Sequence, residues 1–322
     1  MGASSGGAAW AATGSIAFEL ENFVKVGLIG LGKMGVVMAH RILAGGQELI
    51  VFNRTPAKAD ALKEEGAQVA DCVQSLCAET DIVITMLSDD RALAEVIEGA
   101  GGLLASLRVG GIHVAMGTHS AGYVHEAAEL HAAAGRILVS APMLGRPEAV
   151  AAGKASLIVG GPAEPVERVR PVLESIVARI IDAGTDPATA ATMKIANNFV
   201  LGCAIEALGE AFSLVRKWGG VPDVFEQVIT SGMFASPAYA AYAGLIAGGR
   251  FEQPGFTAAL GLKDANLALA AGGLRGVPLP SGNVWRDRLL SAIAHGHSHH
   301  DWSTMALEQA RASGLVPDGD RD

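Results

Sequence analysis

The sequence predicts an α/β fold, with a doubly wound parallel sheet in its first half and an all-α second half. Three observations carry that prediction. Short apolar runs alternate with helix-like stretches from Phe23 onward, a glycine-rich turn joins the first run to the first helix, and β-like runs stop after about Gly184.

The apolar runs fall at 24–29, 48–52, 82–86, 112–116, 137–139 and 157–159, and the helix-like stretches at 34–44, 57–65, 92–97 and 123–133. Runs that are apolar at consecutive positions belong to strands buried on both faces, and the intervening helices supply the cover. A parallel sheet wound in both directions follows. Beyond Gly184, Ala, Leu and amphipathic spacing take over. Asp186 or Thr189 is placed to cap a long helix running through Lys194 to Trp218, closed by Gly219-Gly220. The expected division is a loose Gly/Ala/Ser leader at 1–22, the doubly wound unit at 23–184 and a helical unit at 185–322.

The 322 residues give length for two domains, and with 50% hydrophobic and 18% charged residues the chain can bury large cores. A net charge of −9 leaves no basic face for nucleic acid and no attraction to anionic membranes. The mean hydropathy of +0.34 raises the question of a membrane span. The longest uncharged run, roughly 227–249, is broken by Pro237 and several glycines, so it reads as packed helices and a turn. The chain opens without the basic residues of a secretory signal. Three cysteines, Cys72, Cys77 and Cys203, lack metal-site spacing and fit a reducing, cytoplasmic setting.

Gly30-Leu31-Gly32-Lys33-Met34-Gly35 is a G-x-G-x-x-G that follows the first strand and opens the first helix. Glycine there allows the tight turn, close approach of a pyrophosphate and close helix–strand contact. Phosphates then meet free N–H groups at the positive end of a helix. Its place between strand and helix predicts a dinucleotide-binding turn rather than a merely structural glycine-rich one. The ribose contact belongs at the end of the second strand, where Asn53-Arg54-Thr55 stands without a carboxylate. Asn53 and Thr55 can hydrogen-bond a 2′-phosphate and Arg54 can pair with it, so NADP (NADPH) is favoured over NAD.

Lys194 and Asn198 are four apart and share a helix face. A lysine ammonium beside a carbonyl can donate the proton that accompanies hydride delivery, and its neutral form can take one from an alcohol. Burial or nearby positive charge is needed to bring it toward working pH.

Taken together, these residues resemble the β-hydroxyacid dehydrogenases, the 3-hydroxyisobutyrate dehydrogenase-like family to which imine reductases are related. The resemblance runs from Phe23 to about Arg311. It implies a Rossmann domain, an all-helical second domain, and a homodimer formed through that second domain. It also implies Lys194 as catalytic lysine with Asn198 as its companion. Met86-Leu87-Ser88 matches the loop beside the cofactor, placing Leu87 and Ser88 there, with Ser88 where the family has proline. Gly117-Thr118-His119-Ser120 is similar to the family's Ser-Thr-(Ile/Val)-Ser. Thr118 would touch the nicotinamide and Ser120 the substrate. Lys263-Asp264 matches the pair that closes on the cofactor.

The substrate loop departs from the family's Asp-Ala-Pro-Val-Ser-Gly-Gly. Here it reads Ser140-Ala141-Pro142-Met143-Leu144-Gly145-Arg146-Pro147, so Leu144, Gly145 and Arg146 stand at the substrate positions. Arg146 either pairs with a substrate carboxylate or points to solvent while Leu144 makes the pocket more apolar, and the second is preferred. The histidine-rich run His295, His297, His299 and His300 is read as a solvated turn rather than a metal site. Phe234, Tyr239, Tyr242 and Trp285 are read as core or dimer contacts rather than pocket lining, and Cys203 as packing.

The resulting expectation is an NADPH-dependent oxidoreductase acting on a small β-hydroxy acid or semialdehyde-type carbonyl. An imine reductase or reductive aminase is the alternative; such enzymes generally carry Asp, Tyr or Asn in place of Lys194. A non-catalytic nucleotide-binding protein would have no use for the Lys194/Asn198 pair.

Overall fold

The computed structural model of the chain describes residues 25–315, so the expected leader and the start of the first predicted strand lie outside the described residues. The first half alternates strand and helix: β1 (Lys25–Ile29), α1 (Lys33–Ala44), β2 (Glu48–Phe52), α2 (Ala57–Glu64), β3 (Gln68–Val69), α3 (Val73–Glu79), β4 (Ile82–Thr85), α4 (Asp90–Glu98), α5 (Leu103–Ser106), β5 (Ile112–Ala115), α6 (Ala121–Ala133) and β6 (Ile137–Ser140). These six strands form one parallel sheet in the order β3-β2-β1-β4-β5-β6. The order reverses between β1 and β4, which opens a crevice at their carboxyl ends.

The continuous apolar runs now have their reason. Val26 and Leu28 of β1, Leu49 and Val51 of β2, and Ile82 and Ile84 of β4 pack into one core, while Ile29, Ile50 and Val83 pack into another on the opposite face. Each strand therefore needs apolar side chains at both parities.

Sequence reasoning expected 157–159 as a further strand of a single sheet. It belongs to a second one. β7 (Met143–Leu144), α7 (Pro147–Ala151), β8 (Ser156–Val159), α8 (Ala163–Ile176) and β9 (Arg179–Asp182) build a small sheet in the order β7-β8-β9, with β7 antiparallel to β8. β3, β7 and β9 gave no apolar run: two are only two residues long and β9 has polar residues at both ends, so their pairing depends on neighbouring backbone rather than on a buried face.

Helices follow to the end: α9 (Pro187–Lys217), α10 (Pro222–Ser231), α11 (Pro237–Gly248), α12 (Ala258–Arg275), α13 (Pro280–Ala294), a 3-10 turn at Trp302–Thr304 and α14 (Met305–Ala312). The expected long helix is α9. Asp186 caps it, accepting the Ala188 N–H at 2.9 Å, a contact worth about 1 kcal/mol. α9 is long and apolar enough to cross a membrane by length and composition alone, a test that the core helix of a packed domain also passes. Its buried residues Ile205, Leu208 and Phe212 join Tyr242, Trp285, Leu289, Trp302 and Met305 in the helical core. Tyr242 and Trp285 are thus core residues, while Phe234 is exposed and lies tilted against Tyr239 with ring centres 5.2 Å apart.

The histidine-rich run is more structural than a solvated turn. His295 Nδ1 lies 2.9 Å from the buried Glu308 carboxylate, and the carbonyls of Ser298 and His300 accept the first N–H groups of α12. Among the described residues no three His, Cys, Asp or Glu side chains gather in a way that could hold a metal ion.

Candidate active site

The glycine turn has the geometry its spacing requires. Gly30 has φ +101°, and a Cβ there would overlap the Met86 carbonyl oxygen. A Cβ on Gly35 would overlap the Gly30 carbonyl, so only glycine lets α1 sit this close to β1. A Cβ on Gly32 would meet nothing within 4 Å, and the N-terminus of α1 has no side-chain cap. The residues present therefore fit a dinucleotide: open space and uncapped N–H groups stand where a pyrophosphate would bind.

A cleft of about 590 Å³ extends from this turn, lined by Gly30, Gly32, Asn53, Arg54, Thr55, Lys58, Leu87 and Ser88 among others. Asn53 Oδ1 accepts the Leu31 N–H at 2.9 Å and its Nδ2 donates to the Thr55 carbonyl at 3.0 Å. Asn53 thus braces the glycine turn against the end of β2. Arg54 and Lys58 are the cations among the residues that line this cleft. Lys58 was missed from sequence, although it stands four residues after Arg54 at the start of α2.

Across the crevice, Lys263 Nζ of α12 donates to the Ser88 and Thr118 carbonyls, each at 2.9 Å. One side chain of the helical half thereby joins the loops after β4 and β5. Ser120 caps α6 by accepting the Tyr123 N–H, while its own N–H donates to Asp90 Oδ1 at 2.9 Å. His119 Nδ1 lies 3.3 Å from that same oxygen, and its ring is 1% exposed. Burial pushes the Asp90 carboxyl up, but the close His119 ring and the hydrogen bond from Ser120 outweigh it and hold the group below its usual range. Gly117 accommodates this ring, since a Cβ there would overlap His119 Nε2. Asp90 is thirty residues from Ser120, and no local pattern announces the link.

Lys194, Asn198 and Asp264 form one chain of contacts. Lys194 Nζ donates to Asn198 Oδ1 at 3.1 Å, and Asn198 Nδ2 donates to Asp264 Oδ2 at 2.6 Å. An ionised carboxylate only accepts, so Asp264 fixes which end of the Asn198 amide faces Lys194. Asn198 and Asp264 are 8% and 3% exposed, which makes the pairing obligatory. Lys263 Nζ lies 3.6 Å from Asp264 Oδ1, tying this chain to the loops that flank the cleft. Burial lowers the Lys194 pKa to about 8; the Asp264 carboxylate pulls it up and Lys263 pulls it down. An amine of that pKa can give or take a proton near neutral pH.

Leu144 is half-buried and Gly145 is exposed at φ +151°, where a Cβ would press on Ala155. Arg146 follows neither course considered from sequence. Its Nη2 donates to the Tyr242 hydroxyl at 2.9 Å, so it crosses to the helical half.

Comparison with known proteins agrees with both halves. Residues 25–184 match the model of the NAD binding domain of 6-phosphogluconate dehydrogenase, and residues 188–308 match that of the NAD-binding domain of NADP-dependent 3-hydroxyisobutyrate dehydrogenase. The chain is 40% identical to an uncharacterized oxidoreductase of Bacillus subtilis, over 88% of this chain and 98% of the relative. It is 34% identical to 2-(hydroxymethyl)glutarate dehydrogenase of Eubacterium barkeri, over 93% and 99%. It is 33% identical to 3-hydroxyisobutyrate dehydrogenase of Pseudomonas aeruginosa, over 86% and 94%. Among solved structures, 3-hydroxyisobutyrate dehydrogenase of Mycobacterium tuberculosis with L-serine superposes with a TM-score of 0.81 at 27% identity, over 89% of this chain and 99% of that one. A reductive aminase of Aspergillus terreus shares the fold at a TM-score of 0.57 and 22% identity, over 88% and 99%. A Rossmann unit with its glycine turn, a helical second half and relatives aligned over nearly their whole length lead to one conclusion: the chain belongs to the β-hydroxyacid dehydrogenase family of NAD(P)-dependent oxidoreductases, of the 3-hydroxyisobutyrate dehydrogenase type.

Proposed function

We propose that this protein is an NADPH-dependent dehydrogenase or reductase of a small β-hydroxy acid or semialdehyde-type carbonyl, with Lys194 as general acid and base. The observation that carries the reading is the Lys194–Asn198–Asp264 chain, which holds an amine that burial brings to a pKa of about 8 and which Lys263 links to the loops flanking the cleft. When bound, the nicotinamide supplies or accepts the hydride. In reduction the Lys194 ammonium donates a proton to the carbonyl oxygen. In oxidation its neutral form takes the hydroxyl proton, and Asn198 keeps the amine aimed in both directions. Ser120, Leu144 and Gly145 line the substrate side, and Thr118 the nicotinamide.

Arg54 and Lys58 support NADPH over NADH, because a cation just after β2 and another at the start of α2 favour a 2′-phosphate. A homodimer through the helical half has its own support. Of the exposed large hydrophobic side chains among the described residues, all but Val109 lie between Met193 and Leu290. Such a concentration supports an interaction face on the helical half. The three free thiols accord with a reducing, cytoplasmic setting.

Replacing Lys194 with alanine tests the reading. Carbonyl reduction with NADPH should fall by at least about a hundredfold, the usual scale of general acid catalysis, while NADPH binding measured by fluorescence persists. Unimpaired turnover would refute the role. Running hydroxy acids, semialdehydes and cyclic imines side by side decides between carbonyl and imine reduction, and the half-buried Leu144 is what keeps the imine reading in the comparison.

A further inference from the structure

Where the family places a small glycine after Gly145, this chain has Arg146, and the fold provides a seat for it. The side chain leaves the loop between β7 and α7 and reaches α11 in the helical half. Its guanidinium carbon lies 5.5 Å from the centre of the Tyr242 ring, and Nη2 donates to the Tyr242 hydroxyl. Tyr242 is itself immobile: it is 5% exposed, and its hydroxyl also accepts the Trp302 Nε1–H at 2.8 Å. Trp302 is buried in turn between Phe256 and Trp285.

The other wall of the seat is Gly255. A Cβ at this position would overlap the Arg146 guanidinium, so the glycine leaves the space that the arginine fills. Asp301, fully buried, holds this wall by accepting the N–H groups of Gly255 and Phe256 at 3.1 and 3.3 Å, as well as the Ser303 N–H and hydroxyl. A stacked cation that also donates a hydrogen bond to a buried hydroxyl is a rigid contact. At the near end, the Arg146 carbonyl accepts the N–H groups of Ala149 and Val150, so the same residue starts α7.

We propose that Arg146 is a positioning residue: through Tyr242 and the Gly255 seat it fixes the 142–147 loop against the helical half, and so sets how tightly the carbonyl substrate is held. It complements Lys263, which spans the crevice on the cofactor side. The proposal rests on the reading of 144–145 as substrate contacts. On this proposal Arg146 Nη2 serves Tyr242 rather than a substrate carboxylate.

The test compares wild type with Arg146→Met, Arg146→Lys, Gly255→Ala and Tyr242→Phe, all loaded with NADPH. Hydrogen exchange at Ala149 and Val150 should quicken in Arg146→Met and Gly255→Ala, and less in Arg146→Lys and Tyr242→Phe. Substrate KM should rise about tenfold in the first two, the effect of losing one charge-assisted hydrogen bond, with NADPH affinity kept. Tyr242→Phe removes only a hydroxyl, so it decides the matter if a larger change prevents folding. Unchanged exchange overturns the strut whatever the activity. Faster exchange with unchanged KM overturns its part in substrate binding, and loss of activity confined to carboxylated substrates with unchanged exchange makes Arg146 a substrate ligand instead. If the wild type reduces no carbonyl, the functional reading fails while exchange still judges the strut.

Discussion

At the scale of single residues, the site turns on what each side chain gives its neighbour. Lys194 and Asn198 are visible in sequence as a pair four apart, but Asp264 lies sixty-six residues on and only folding brings it to the amide. The pH dependence follows from the Lys194 pKa of about 8. In the role proposed for Lys194, reduction needs the protonated amine, so its rate should fall as pH rises through about 8. Oxidation needs the neutral amine, so its rate should climb over the same range. Asp264→Asn removes the charge that pulls the pKa upward, and both inflections should move to lower pH in steady-state profiles; inflections that stay in place would remove Asp264 from the chain. Arg54→Ala and Lys58→Ala should each weaken NADPH by about tenfold, the scale of one hydrogen bond to a charged group. NADH should be little affected in titrations with the two nucleotides.

Elements are where the sequence was most legible. Strands buried on both faces show themselves as unbroken apolar runs, and β1, β2, β4, β5 and β6 all lie where such runs stand. β3, β7 and β9 carry no such mark, because a short edge pairing is settled by the backbone it meets. The glycine turn joins the two kinds of evidence: its spacing was readable, and its necessity is steric. Gly35→Ala would drive a methyl group into the Gly30 carbonyl oxygen. We expect a loss of about 1–3 kcal/mol, the cost of overpacking a tight contact, seen as a lower Tm, together with weaker NADPH binding as α1 shifts away from the cleft. An unaltered Tm would show that the turn has slack the structure does not display.

At the scale of the whole molecule, Lys263 and Arg146 reach by hydrogen bond from one half to the other, Lys263 to the loops after β4 and β5 and Arg146 to Tyr242. The helical half meanwhile leaves Trp218, Val221, Val224 and Val228 exposed near the end of α9 and along α10. Isolated in water, such a surface is costly at roughly 25 cal/mol per Å². A double variant, Trp218→Glu with Val224→Glu, should convert the proposed dimer to a monomer in light scattering while leaving the Rossmann cores intact. A mass unchanged from wild type, whether one or two chains, would place the interface elsewhere or abolish it.

Periodicity, glycine spacing and the four-residue spacing of Lys194 and Asn198 are local, so the sequence by itself determined the α/β class, the nucleotide turn, the course of the long helix and the Lys194/Asn198 pair. The second sheet, the Asp90–Ser120 and Asn198–Asp264 contacts, and the crossing of Arg146 to Tyr242 were decided only in the tertiary structure. Each joins residues whose separation along the chain carries no period, and burial, not spacing, makes their polar groups find one another.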